Sequence, residues 1–345
     1  MTRLFRNASI MVRIALLVLV PALALLGVGL VQLLDRRAVA DDAATVVEVV
    51  AAAPVISQLV HELQKERGTS AGFIGSKGGG FADAIKARRA ETDAALEAFR
   101  AAMPAIESRL RFDSFAKPRA AADEGLARLV EMRGKVDALS IGVPEVAGYY
   151  TPLIAELLAM VESVALTSGD GDIVRAMTAY VAFLQGKERA GIERAMGATG
   201  FGGGKFAPAI HRNFVRLGAM QDAYAGMFRR YASPEQGAAL DEALSGPVQT
   251  EVDRMRGLAY EAPFGGDISA VTGPAWFEAS TRRIDAMKML EDRLAKDVVD
   301  LARATAARAN GGLIVLAGLL VALFLAVIVI SIVVARSLAN PLHRL

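Results

Sequence analysis

The sequence has no cysteine, only three histidines, a single tryptophan and 6% aromatic residues. Without cysteine there can be no disulfide framework, no thiolate metal site and no thiol nucleophile. Such a chain is compatible with an oxidising compartment without requiring one. His61, His211 and His343 are far apart, and none has a metal-ligating neighbour at helical spacing. No metal site is therefore expected. No Ser-His-Asp set and no pair of carboxylates at a working distance can be read from the chain, so neither enzymatic activity nor a cofactor is expected. The formal net charge is only +2. That balance gives no global reason to expect a nucleic-acid partner.

What the chain has in quantity is alanine, leucine and valine, within an apolar content of 53%. That alphabet suits long helices and suits a β-sandwich poorly. Two stretches are free of charge, residues 14–34 and residues 311–335. About 20 apolar residues cross a bilayer as a helix, and a proline such as Pro21 is tolerated there. Arg3, Arg6 and Arg13 precede the first stretch, and Arg336 and Arg344 follow the second. The positive-inside rule then puts both termini in the cytoplasm of a two-pass inner-membrane protein, with residues 35–310 outside it. A cleaved signal peptide is the rival for the first stretch, since Ala22-Leu23-Ala24 has a small-x-small pattern. The apolar run continues to Leu34, which favours an uncleaved anchor.

The outer region reads as helix throughout. Helical patterns run from Val46 to Ile74 and from Phe81 to Ile106, the second broken near Met103-Pro104. A third opens on Pro118 and runs to Leu139, and a fourth runs from Pro144 to Leu166. Further patterns cover Ile173 to Ala198 and Phe206 to Tyr231, and Ser233-Pro234-Glu235 is a helix start. The last helix opens near Pro274-Ala275-Trp276 and continues toward the second apolar stretch, apart from Gly311-Gly312. The first and last helices of the domain are thus expected to join directly onto the two spans.

Two segments are alike. Glu66-Arg67-Gly68 leads to Gly72-Phe73, a glycine run and Phe81-Ala82-Asp83-Ala84-Ile85. Glu193-Arg194-Ala195 leads to Gly200-Phe201, a glycine run and Phe206-Ala207-Pro208-Ala209-Ile210. The duplication suggests two related helical halves, in which Arg67 and Arg194 could face each other. Gly200 to Lys205 resembles a phosphate-binding loop only in composition, because Thr199 stands in place of the first glycine and Phe206 in place of the Ser or Thr. Both glycine runs are expected to be helix-ending turns.

Ile56, Leu59, Leu63, Arg67, Ser70 and Ile74 advance by threes and fours, so Arg67 lies on an apolar seam. Arg194 is flanked by Gly191, Ala195 and Gly197, which leave room beside it. A buried guanidinium keeps its charge and needs a negative partner. Two arginines beside a small cavity would attract a small planar oxyanion, each charge-assisted bond contributing roughly 1.5–3 kcal/mol. Ser70 and Thr69 could add neutral donors. The alternative is a purely structural network with Glu66, Glu188 and Glu193, for example Arg67 with Glu193. Lys65, Lys187 and Arg189 are expected on solvated flanks.

At these residues the chain resembles the NIT domain, the nitrate- and nitrite-sensing domain of bacterial receptors. The resemblance rests on Leu63 to Gly72, on Lys187 to Ala195 and on Trp276-Phe277-Glu278, and it covers roughly residues 45–300. It implies an all-α domain of two helical bundles that binds nitrate or nitrite between helices through arginines of these motifs. Arg67 and Arg194 match those positions. Of a later arginine, Arg254 is the nearer match and Arg256 the next. Residues 336–345 resemble the start of a HAMP linker, and the chain stops there; either it is a receptor fragment or the output belongs to another chain. The expectation is a homodimeric transmembrane receptor of chemoreceptor type for a small anion, with segments 1–13, 14–34, 35–310, 311–335 and 336–345. The alternatives are the input domain of a sensor kinase or cyclase, and a protein-interaction module whose arginines are structural.

Overall fold

The computed structural model describes residues 10–109, 113–166 and 168–342. Arg3, Arg6, His343 and Arg344, and with them parts of the expected cytoplasmic ends, lie outside these residues. The described chain is helical: α1 (Ile10–Val50), α2 (Ala52–Gly75), α3 (Ala82–Glu107), α4 (Asp113–Ala127), α5 (Leu129–Asp137), α6 (Val143–Ala165), α7 (Gly171–Gly202), α8 (Pro208–Tyr231), α9 (Pro234–Ala243), α10 (Gly246–Glu261) and α11 (Gly273–Leu342).

Two compact units divide the chain. One comprises residues 1–45 and 303–345, and the other residues 46–302. In the first, Leu19, Val20, Leu23, Leu25, Val28, Leu30, Val31 and Leu34 are exposed, as are Ile314, Val315, Leu319, Val321, Phe324 and Val329. Gly29 lies against Leu320, leaving no room for a side chain between them. Both helical stretches are long and apolar enough to cross a membrane by length and composition.

In the second unit α2 packs on α3 and α6, α6 on α4 and α7, and α7 on α8. The sequence duplication suggests two halves; the structure has one compact unit with two apolar clusters of unequal size. The larger is built on Ile56, Leu59, Leu63, Tyr150, Leu157 and Tyr180. The smaller gathers Phe201, Phe214, Met255 and Trp276. The duplication is visible locally. The ring of Phe81 folds back onto Gly72, and the ring of Phe206 folds back onto Gly200. Both glycine runs are helix-ending turns, with Gly78 and Gly204 at φ of 80° and 65°. The helix start at Ser233 is also present: Ser233 and Gln236 exchange reciprocal bonds of 3.2 Å.

Several proline-based expectations change. The first helix is interrupted at Ala51, because Pro54 has no N–H to offer the Val50 carbonyl. Pro104 does not break α3; it is exposed near the end of the helix, where water can take up the carbonyl it leaves free. Pro118 does not open a helix but lies inside α4. It leaves the Ser114 carbonyl unbonded within the helix, and the Ser163 hydroxyl of α6 reaches that oxygen at 2.5 Å. Gly311-Gly312 does not interrupt α11.

Ser163→Ala should lower stability by about 1 kcal/mol, since it removes the part-buried bond to the Ser114 carbonyl. In the Pro118→Ala background the same change should cost clearly less, because alanine there restores an intrahelical donor. Chemical denaturation of the two singles and the double checks this; equal costs in both backgrounds contradict it.

Candidate functional site

Four arginines are buried among the described residues: Arg67, Arg194, Arg256 and Arg283, at 7, 8, 9 and 5% exposure. Two of them are ion-paired. Arg67 donates to both oxygens of Glu188, at 2.6 and 3.1 Å, and to the Thr151 hydroxyl at 3.0 Å. Arg256 donates to both oxygens of Glu193, at 2.7 and 2.6 Å. The other two meet neutral groups. Arg194 donates to the Thr281 hydroxyl at 2.9 Å and lies 4.7 Å from the centre of the Phe277 ring. Arg283 donates to Gln249 and Gln221, both at 2.7 Å. Burial first, and the charge of Arg67 next, pull Arg194 down to about 10 from its ordinary value. It is still charged at neutral pH, in a place that disfavours the charge.

The duplication explains the imbalance. The glutamate of each copy is gripped by an arginine from a later helix. Glu66 accepts from Arg133 at 2.7 and 2.9 Å and from the Tyr150 hydroxyl at 2.8 Å, as Glu193 does from Arg256. The arginine of the first copy then draws its carboxylate from the second copy, at Glu188. The position equivalent to Glu188, at the same offset before the Glu-Arg pair, is His61. Burial first, then the charge of Lys187, hold His61 far below its ordinary range, so it is neutral. It accepts from Lys187 at 3.2 Å. Arg194 therefore lacks the hydrogen-bonded carboxylate that its counterpart has, and Asp285 and Glu188 act on it only at a distance.

Arg67 and Arg194 lie close together across α2 and α7. A Cβ on Gly68 would fall 2.9 Å from Nη2 of Arg194, and one on Gly191 would fall 3.1 Å from Nη2 of Arg67. Each guanidinium thus rests on a bare patch of the other's helix. Ser70, on the same seam as Arg67, is fully buried and its hydroxyl has no protein partner. A buried hydroxyl without a partner is costly, and its presence asks for an explanation.

α11 closes the cluster. The Trp276 indole donates to the Arg194 carbonyl at 3.0 Å, is itself fully buried, and presses on Gly197. Its ring centre is 5.3 Å from that of Phe214 and 5.6 Å from that of Phe201. Trp276, Phe277 and Thr281 therefore hold the backbone, the π-face and the tip of Arg194 from a single helix.

The structure brings together Arg67, Arg194 and the seam of Ser70. It does not bring Arg254 to them. Arg254 is half-exposed on α10 and pairs with Glu251 one turn back, at 2.9 Å. Val252, Arg256 and Ala259 form the buried side of that helix, so Arg256 is the arginine it turns inward. The suggested Arg67–Glu193 pair is replaced by Arg67–Glu188. Lys187 is not a solvated flank residue; it is 2% exposed and paired with Glu291. The reason is that α7 is covered on nearly every side, so a position beside the seam does not reach water. Thr281 and Phe277 are absent from the sequence reading of the site. Both lie on the helix opened by Trp276, which is a signal for them, but only packing shows that they meet Arg194.

Between α2 and α7 this helical unit holds two buried arginines, of which Arg67 has a carboxylate partner and Arg194 hydrogen-bonds only a hydroxyl. The model of the NIT family, nitrate and nitrite sensing, matches residues 58–299, and the chain belongs to that family. It is 32% identical over 251 residues to the "Nitrate regulatory protein" of Klebsiella oxytoca, which covers 72% of this chain. The chain spans 62% of the length of that relative. The solved structure of the NasR transcription antiterminator is also similar, with 27% identity and a TM-score of 0.71 over 83% of this chain and 81% of that one. Both names are those of regulatory proteins, not of enzymes. A likeness to a transcription antiterminator gives no support to the expectation, drawn from net charge alone, that nucleic acid has no part.

The two arginines should respond oppositely to removal. Arg67→Met strands the Glu188 carboxylate in the interior and should lower stability by about 3 kcal/mol or more. Arg194→Met removes a charge with no carboxylate partner and, in gluconate buffer free of nitrate and nitrite, should leave Tm unchanged or raise it. Melting curves of the full chain in detergent check both; equal losses in the two variants contradict the assignment.

Proposed function

We propose that this chain is a two-pass membrane receptor that binds nitrate or nitrite at Arg194 and Arg67, between α2 and α7. The observation that carries the reading is the uncompensated charge of Arg194 beside an ion-paired Arg67 and an unpartnered Ser70 hydroxyl. A planar oxyanion supplies what each lacks: a negative charge for one guanidinium and an acceptor for one hydroxyl. Membership of the NIT family supports the choice of ion.

In the proposed layout residues 14–34 and 311–335 span the inner membrane, residues 35–310 lie in the periplasm, and the HAMP-like residues 336–345 lead to the output. The exposed leucine, isoleucine and valine side chains of both stretches support this. Each large aliphatic side chain moved out of water contributes about 1.5–3 kcal/mol, so two such surfaces call for apolar surroundings. The signal starts at α11. Its residues grip Arg194, and the helix itself runs from Gly273 to Leu342. An ion that redirects the Arg194 guanidinium changes what Thr281 and Phe277 hold. It biases the receptor to the extent that it binds one arrangement of α11 better than the other.

The decisive variant is Gly68→Ala. Its methyl displaces the tip of Arg194 without touching backbone, and alanine favours a helix over glycine by about 1 kcal/mol. Titration calorimetry of the full chain in nanodiscs should show nitrate or nitrite binding in the parent and at least a tenfold loss in Gly68→Ala, with Tm kept or raised. Undiminished binding in Gly68→Ala and Arg194→Met, or none in the parent, overturns the proposal.

A further inference from the structure

Arg283 is the second buried arginine without a carboxylate partner, and it lies outside the site above. It reaches in from α11 to Gln249 of α10 and Gln221 of α8. Gln221 is fully committed. Its carbonyl accepts from Arg283 at 2.7 Å and from Arg256 at 2.9 Å, and its amide donates to Glu193 at 2.9 Å and to the Leu217 carbonyl at 3.1 Å. Two guanidinium groups therefore share one buried carboxylate, Glu193. Asp253, more than half exposed, lies 3.4 Å from Arg256, and Asp253 and Asp222 act on Arg283 only at a distance. Among the described residues no carboxylate hydrogen-bonds Arg283, whose charge is held out of water by Gln249 and Gln221 alone.

Arg283 and Gln221 also line a small cavity of about 20 Å³. The rest of its wall is largely apolar and includes Ala182, Phe183, Phe228 and Met287. A cavity of that size admits a single small particle, a water molecule or a monatomic ion. Burial first, and Arg256 next, pull Arg283 down to about 10, which agrees with a charge poorly compensated by the protein.

We infer that the cavity beside Arg283 is a binding site for one monovalent, near-spherical anion of chloride size. Room and chemistry both select it. A water in this place needs two to four polar partners, and with Gln221 fully committed the lining side chains leave only Arg283 and Tyr224 to supply them. A halide needs positive charge and tolerates the aliphatic and aromatic remainder of the wall. The site is separate from the one at Arg194, so the two stand or fall independently. Both, however, act on α11, through Arg283 and through Thr281. A halide here neutralises the repulsion between Arg256 and Arg283 and tightens α11 against α8 and α10.

The test uses the full chain in detergent carrying Arg194→Met, so that any anion effect at the first site is removed. At constant ionic strength, replacing gluconate by chloride or bromide should raise Tm by roughly 2–4 °C when the halide exceeds its Kd about tenfold. The rise should vanish in the Arg194→Met/Arg283→Met double variant. Should that protein fail to fold, Ala182→Val fills the same cavity from the opposite wall and should abolish the halide effect with Arg283 in place. Crystals grown in bromide should give an anomalous peak within hydrogen-bonding distance of the Arg283 guanidinium. Equal melting in gluconate and halide, a rise that survives both variants, or density with no anomalous signal (a water only) overturns the inference.

Discussion

A guanidinium taken into a protein interior keeps its charge, because its proton is held too tightly to be shed at any ordinary pH. The cost of desolvation must then be offset by carboxylates, by hydroxyl and amide acceptors, or by a bound anion. The packing of residues 46–302 is organised around that requirement. Four arginines enter the interior, and Glu188 and Glu193 neutralise two of them directly. Where the remaining charges lie, the hydrogen-bond and ring partners are hydroxyl, amide and aromatic groups, and carboxylates act only at a distance. The apolar clusters bear the cost of these charges, and the proposed anions would relieve it.

The duplication is what creates the asymmetry. Two copies of a Glu-Arg pair on facing helices would, with identical sequences, make a closed and self-neutralising set of ion pairs. A histidine at one position in place of a glutamate opens the set at one arginine. The same arginine is the one that α11 holds by three separate contacts. The charge short of a carboxylate is thus clasped by the helix that continues furthest along the chain. The proposed ligand completes an electrostatic arrangement on one side and alters a mechanical contact on the other.

Much of this is legible in the residues. The three-and-four spacing of Ile56, Leu59, Leu63 and Arg67 puts a cation on an apolar seam, and the seam is buried. The glycine runs read correctly as turns because positive φ is what glycine permits. Proline reads less well. Pro104 and Pro118 remove a donor without ending a helix when the stranded carbonyl finds water or, as at Ser114, a hydroxyl from a distant helix. Lys187 departs from expectation for a related reason: a position off the seam is exposed only if the helix has a free side, and α7 has almost none.

The sequence by itself determined the helical class, the two apolar stretches, the repeat, and the presence of arginines where water should not be. These depend on composition and local periodicity, which each segment carries alone. It did not determine which carboxylate meets which arginine. Glu66, Glu188 and Glu193 each stand close in sequence to one of the two arginines, and nothing in the sequence says which of them each arginine meets. Only the tertiary structure decided that Arg133 and Arg256 claim Glu66 and Glu193, that Arg67 takes Glu188, and that Arg194 is left with Thr281 and Phe277. Charge compensation in a folded interior is a competition among all groups within reach, and that reach is set by how the helices pack, not by where their residues stand along the chain.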